Sequence, residues 1–557
     1  MQIKPLPLSA IVLCLIHFAV AADTQNHHTS NGPRPSPQTR NIGLPSSPDN
    51  WLGGTGNWSN GTDWSSGLPG STSDVTIYTG HDDVTLDTSS SINSLTLGGS
   101  GGLMTSTLIG DGNAHTLTIA GSLTVNDSGY LQLLNDTVTA STATNSGTID
   151  VSSGSTLQIN GNFTNNSGAL LSSGFLASGG GNTINITGTF TNVFGGTLYV
   201  LGSGDVANIG QLANQGDLVV GTGTTLNLTN QPNGITDVAA GSDYEVYGTF
   251  TAGGNPALAG LTTVEGTVIF GNTQTNNVNP AGGTLTLTGG LLVDYGTVVN
   301  IQGNLNAAGG GMATGIDAGG NTLAISGSLT LNSAGSLELF GQADLVSMAA
   351  LNNAGNINVI GGSTLQVNGD VVNSGCIGEC GDVAIRGGNS YEVSGTFTNQ
   401  ASGVFYTLND DTANLGGLVN SGFVRLGPGT HLTAGSISLN PGSGLGIDID
   451  GPNHFGMLMS TGGVGLNGLL YVYLDNGYTP PVGTAFKFLT FTPGALSGTF
   501  SGVLGFGENF AVQYDNSAGY VEVIAEGNST VPEPSSFLLF GSGMLGVAAL
   551  MRRNANL

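Results

Sequence analysis

Basic residues are the scarcest feature of this chain. Only eight of 557 residues are Lys or Arg, and none lies between Arg40 and Arg386. A nucleic-acid surface needs several phosphate-neutralising cations, so no nucleic-acid partner is expected. The net charge of −27 follows from missing bases, since Asp and Glu together number only 35. Charged residues make up 8% of the chain, too few for helices surfaced with ion pairs. Polar surface must therefore come from Asn, Thr, Ser and backbone. Cysteine is almost absent as well. Apart from Cys14, only Cys376 and Cys380 occur. Two cysteines without a neighbouring histidine make a poor zinc site, which normally has four ligands. Neither a metal nor a cofactor is expected.

What the chain does contain is 95 glycines with 38% hydrophobic residues. That combination points to a turn-rich all-β protein with a real core rather than to disorder. The N-terminus reads as a secretory signal over 1–22: Lys4 supplies charge, Leu8 to Val20 is an almost uninterrupted apolar run, and Ala19 to Ala22 offers small residues for cleavage. An oxidising destination makes a small Cys376–Cys380 disulfide loop a candidate beside two free thiols. Residues 23–50 are rich in Pro, Ser, Asn and Thr and read as a disordered linker, with order expected from Trp51.

From about 70 to 440 short strands alternate with turns. Val75–Tyr78, Thr116–Ile119, Thr284–Leu287 and Ser336–Leu339 alternate apolar and polar residues at period two, so one face is buried and the other wet. Internal repetition is the most informative pattern. The run Asn145–Gly161 matches Asn353–Gly369, Thr116–Val125 matches Thr322–Leu331, and Gly188–Asn192 matches Gly395–Asn399. A segment of about 113–227 has been duplicated as about 319–432. Strand signals recur at solenoid spacing inside each copy, which predicts a right-handed parallel β-helix over 51–444. Inward residues such as Leu157, Ile159 and Phe163 each contribute roughly 1.5–3 kcal/mol on burial. Ordering a coil costs a comparable amount, so coils are expected to be stable only when stacked. Asparagines at equivalent turns, such as Asn145 and Asn353, are expected to stack their amides or cap the turns. Residues 445–526 are richer in aromatics and read as a β-rich cap over the last coil. Trp51, Trp58 and Trp64, the only tryptophans, are expected to plug the first coil, with sugar stacking as the alternative.

The last residues carry three signals in order: Val531-Pro532-Glu533-Pro534, an apolar run over 537–551, and Arg552-Arg553. Fifteen residues as a single helix span about 22 Å, short of a bilayer core of about 30 Å unless flanking residues extend it. Arginines after the run should stay cytoplasmic, which places the body outside. This tail (527–557) resembles the PEP-CTERM sorting signal of Gram-negative bacteria. The resemblance implies an exosortase-type sorting protease as partner, membrane anchoring through the C-terminal helix before processing, and delivery to the cell envelope or exterior. It also brings an association with extracellular polysaccharide. The segments 51–69 and 462–520 resemble the opening and the end of autotransporter-like β-helix passengers.

No catalytic constellation stands out, and the chain is expected not to be an enzyme. Lyases on β-helices need a base with acidic calcium ligands, and only Arg386 and Arg425 are basic candidates inside the solenoid. Asp82/Asp83 and Asp410/Asp411 are adjacent, so on a strand they point to opposite faces. Asp448 and Asp450 share a face if extended, which makes them the least poor pair for glycoside hydrolysis. Gly98-Gly99-Ser100-Gly101-Gly102 fits a nucleophile elbow only formally, since no helix follows it. The histidines show no metal spacing. Thr-Phe-Thr triplets at 189–191, 249–251 and 396–398 suggest threonines around an inward Phe, but their irregular spacing argues against one flat array. The leading expectation is an exported, non-enzymatic surface or matrix β-helix with an adhesive or polysaccharide-associated role. A carbohydrate-active lyase or glycosidase and an ice-binding solenoid are the alternatives.

Overall fold

The computed structural model describes residues 46–526, apart from 79, 100–104, 175–179, 379 and 381–386. Over these residues the chain is a parallel β-solenoid of about 18 turns. The one helical element described is a 3-10 turn at Gly61–Asp63. The signal segment 1–22, residues 23–45 and the tail 527–557, with its expected helix over 537–551, lie outside the described residues. Among the described residues no helix is long and apolar enough to cross a membrane.

One coil shows how the sequence builds the whole. In the strand Thr116–Val125, Leu117 and Ile119 point inward, and beyond a bend Leu123 and Val125 do the same. Gly129–Leu134 then supplies a third side. The next coil lays Thr137–Asn145 parallel to the first strand and Thr148–Ser152 parallel to the third. The register shifts at each bend, for example between Ala140 and Thr142, because an extra residue is needed to turn the chain. Parallel in-register pairing stacks like on like. Leu117, Val138, Leu157, Ile184, Ala207 and Leu226 form one inward column, all buried.

The duplication is visible strand by strand. Thr116–Val125, Thr137–Asn145, Thr183–Asn192 and Val206–Asn214 in the first copy have counterparts of equal length in the second: Thr322–Leu331, Leu345–Asn353, Ser390–Asn399 and Thr412–Asn420. Each copy carries a buried asparagine ladder at one corner. Asn145 Nδ2 donates to Asn165 Oδ1 at 2.9 Å, Asn165 to Asn192 at 2.9 Å, and Asn192 to Asn214 at 2.7 Å. In the second copy Asn353, Asn373, Asn399 and Asn420 repeat the chain at 2.8–2.9 Å. Apart from Asn214, which donates to Gly216 O in its own coil, each amide also donates to the next coil's backbone, as from Asn165 to Thr197 O and from Asn373 to Val404 O.

Two boundaries differ from the sequence expectation. Order begins before Trp51, within the expected linker: Ser47–Asn50 pairs parallel with Ser73–Thr76. This strand has no apolar residue to signal it. It is held by its ladder and by the buried carboxylate of Asp49, which accepts from Ser66 N at 3.0 Å. At the other end, parallel pairing crosses residue 444 without a break. Gly444–Ile449 pairs with Leu469–Leu474, which pairs with Gly502–Phe506. The last strands turn antiparallel, Tyr520–Ala525 lying between Ala485–Thr490 and Phe510–Asp515, after one short antiparallel pair of Ile449–Gly451 with His454–Phe455. Phe486, Phe488 and Phe510 fill the end they close. At the start, Trp51 and Trp58 each pack edge-on against Trp64 with ring centroids 4.9 Å apart, and all three are buried. Trp64 Nε1 donates to Trp58 O at 2.9 Å, so the plug is hydrogen-bonded as well as apolar.

The ladder makes a testable demand. Asn165→Ala removes three donations and orphans buried partners, which costs about 1–3 kcal/mol. Asn165→Asp is expected to cost more at neutral pH, because a carboxylate cannot donate to the Asn192, Ala169 and Thr197 oxygens that surround it. Thermal unfolding of both variants checks this, and a carboxylate tolerated as well as alanine would count against the assignment.

Candidate functional site

The acids singled out for chemistry are each occupied. Adjacent pairs split as alternation requires: Asp411 is buried while Asp410 is exposed. Asp411 accepts from Leu408 N at 2.7 Å, Asn389 N at 2.8 Å and Asn389 Nδ2 at 3.0 Å, so it ties two coils at a turn. Burial nevertheless pushes its carboxyl up to about 6. Asp205 and Asp344 make the same turn with Asn182 and Asn321.

Asp448 and Asp450 lie on one strand, Gly444–Gly451, and share its outward face. Their environments diverge. Asp448 is 1% exposed and takes Arg425 Nε on both oxygens, at 2.9 and 3.0 Å. Burial pushes its carboxyl up to about 7, with Arg425 pulling the other way. Asp450 meets His454 Nδ1 at 2.6 Å and accepts from Asn476 Nδ2 at 3.2 Å. His454 also reaches Asp410 through Nε2 at 3.1 Å, and these hydrogen bonds raise its pKa. The two acids thus bind different partners, Arg425 and His454.

Glycine makes this arrangement possible. The Arg425 guanidinium stacks over Tyr406 at 4.6 Å and Tyr473 at 4.2 Å, crossing the coil that carries Gly446. A Cβ on Gly446 would stand 3.1 Å from Arg425 Cγ and 3.2 Å from the Tyr473 ring. Tyr473 continues the stack onto Phe506, parallel at 4.7 Å. Tyr471, Tyr473 and Phe506 were part of the aromatic texture expected of a cap. They instead line the outer wall of the last parallel coils.

The threonines are where register matters most. As expected, the three triplets do not align: Thr249–Thr251 pairs with Thr225–Asn227, and Thr396–Thr398 belongs to a later sheet. Threonine columns form anyway, mostly from residues outside the triplets, with Thr191 and Thr249 joining from within them. Thr76, Thr96, Thr124, Thr144, Thr164 and Thr191 occupy one outward position on six successive strands. A second column holds Thr116, Thr137, Thr156 and Thr183, then Val206, Thr225 and Thr249. Coil lengths vary in the loops, while the ladder keeps equivalent positions one strand spacing apart, about 4.8 Å.

Cys376 and Cys380 are joined as a disulfide with Cα atoms 5.7 Å apart. Cys376 O accepts from the ladder amide of Asn353 at 2.9 Å, so the loop is anchored to the asparagine stack. Among the described residues no cluster of three His, Cys, Asp or Glu could hold a metal ion. Arg386, Ser100 and the tail residues Val531, Pro532, Glu533, Pro534, Arg552 and Arg553 lie outside the described residues.

Residues 530–553 match the model of the PEP-CTERM protein-sorting motif. No curated protein matches the chain. The motif implies an exported protein, delivered to the cell envelope and recognised by exosortase, a membrane processing enzyme. The cargo it carries is the β-solenoid.

Asp448 gives the Arg425 stack a pH signature. Its folded pKa lies above its unfolded value, so the stability it contributes is complete below about pH 4 and lost as pH rises through about 7. Arg425 offsets that loss by holding the ionised carboxylate. Arg425→Ala should therefore cost about 3–5 kcal/mol at pH 8 and clearly less at pH 5, where Asp448 is neutral. Chemical denaturation at the two pH values measures the difference, and an equal cost at both would remove Asp448 from the explanation.

Proposed function

We propose that this protein is a non-enzymatic solenoid of the cell surface or extracellular matrix that associates with extracellular polysaccharide. The observation that carries this reading is the pair of outward threonine columns, a hydroxyl surface that repeats once per coil. A periodic polymer of hydroxyl groups can meet such a surface over many repeats, with weak contacts adding through multivalency. The scarcity of cations argues for a neutral polymer rather than a polyanion. Occupation of Asp448 by Arg425 and of Asp450 by His454 supports the non-enzymatic part of the reading. Mixed with insoluble neutral and acidic polysaccharides, the protein is expected to sediment with at least one neutral member and release no new reducing ends or unsaturated sugars. Product release would defeat the non-enzymatic reading, and failure to sediment with any member would defeat association.

The same columns favour a second reading, in which the regular hydroxyl and methyl array orders water and adsorbs to ice. Thermal hysteresis distinguishes it. A freezing gap that shrinks in Thr144→Lys, at the middle of the six-threonine column, would establish this reading, and no gap in the parent protein would end it.

A further inference from the structure

The bend in the long strands leaves a groove on the outer face of the second copy. The register shifts between Ile325 and Ser328 and again between Val393 and Thr396, so successive coils bend inward along one line. Glycine allows the depth. A Cβ on Gly395 would lie 2.6 Å from the backbone of Gly369, and one on Gly416 would meet Ser394 O at 2.3 Å. Two cavities of about 360 and 240 Å³ follow this line and share Asn368. They run across five successive outward positions: Ala324, Ser347, Gln366, Glu392 and Asn414.

The first copy carries Thr118, Thr139, Gln158, Asn185 and Asn208 at those places. There Asn208 donates to Asn185 at 2.9 Å and Asn227 donates to Asn208 at 3.0 Å, so the amides satisfy one another. The second copy shortens two side chains, to Ala324 and Ser347, and places a carboxylate in the row. Glu392 accepts from Asn414 at 2.8 Å and from Ser390 at 2.9 Å, both on Oε1, so Oε2 keeps its acceptor capacity.

We infer that this groove binds a neutral, hydroxyl-rich saccharide chain lying along the solenoid axis. The inference rests on the polysaccharide reading above and assigns it a place. Amides supply both donors and acceptors to hydroxyl groups, and a carboxylate accepts from a sugar hydroxyl more strongly than a neutral oxygen does. No cation lines the groove, so an anionic glycan would meet only Glu392. A peptide would need either an open strand edge or apolar pockets, and the groove crosses the paired middle of a sheet.

Titration of the full chain with neutral cello-, malto- and xylo-oligosaccharides, and with oligogalacturonate as the anionic control, tests this. Ser394→Trp fills the groove from an exposed position, Glu392→Gln keeps its shape, and Thr187→Trp places the same bulk at the equivalent point of the first copy. At least one neutral oligosaccharide is expected to bind. Its affinity should fall about tenfold or more in Ser394→Trp and a few-fold in Glu392→Gln, and stay unchanged in Thr187→Trp. If Ser394→Trp does not fold, Glu392→Gln decides. Neutral binding unaffected by the groove variants, or oligogalacturonate binding more tightly, overturns the groove while leaving the wider reading intact. No binding of any glycan, with no sedimentation on insoluble polysaccharide, overturns both.

Discussion

In-register parallel stacking is the constraint on which the rest of this molecule depends, and the buried asparagine ladder enforces it. Apolar columns alone would tolerate sliding by two residues, because alternation is preserved. An amide that must donate to the amide and carbonyl of the next coil does not. Asn145 to Asn214 and Asn353 to Asn420 therefore set the coils in register at one corner. Turn acids such as Asp205, Asp344 and Asp411 do the same at another. Buried polar groups are costly when unpaired and specific when paired, so a chain with few charges obtains its specificity from amides.

Once register is set, everything on the outer face becomes a column. A residue type repeated at one position of successive coils becomes a ladder of side chains about 4.8 Å apart. The threonine columns of the first half, the amide row at the bend and the aromatic stack beyond Tyr406 all arise this way. Gene duplication copied the frame and left the outer positions free to change. The inward pattern of both copies is the same, whereas the row from Thr118 became the row from Ala324 and acquired Glu392. The two halves therefore share a scaffold and differ in the surface they present. The C-terminal sorting motif directs this surface to the envelope.

Much of the fold was legible in the residues. Period-two alternation, the long internal match and the scarcity of charge led to a parallel solenoid, and the tail was readable as a three-part motif. The structural role of Asn145 and Asn353 was also visible, since asparagine recurs where turns recur. The first strand was not, because Ser47–Asn50 buries an aspartate and no apolar residue. The end of the parallel coils was misplaced for a related reason: Tyr471, Tyr473 and Phe506 are aromatic like a core, yet they stack outside it.

By itself the sequence determined the class of fold, the duplicated unit and the address, because these rest on local alternation, long matching segments and a contiguous motif. Only the tertiary structure decided which side chains stand together on the surface. Asp448 and Asp450 share a face, as alternation allows. That they bind different partners, Arg425 and His454, depends on residues one coil away or across a turn. The threonines of six coils line up although loops of unequal length separate them along the chain. Hydrogen-bonded register between coils, rather than spacing within the chain, fixes those positions, and register is a property of the stack.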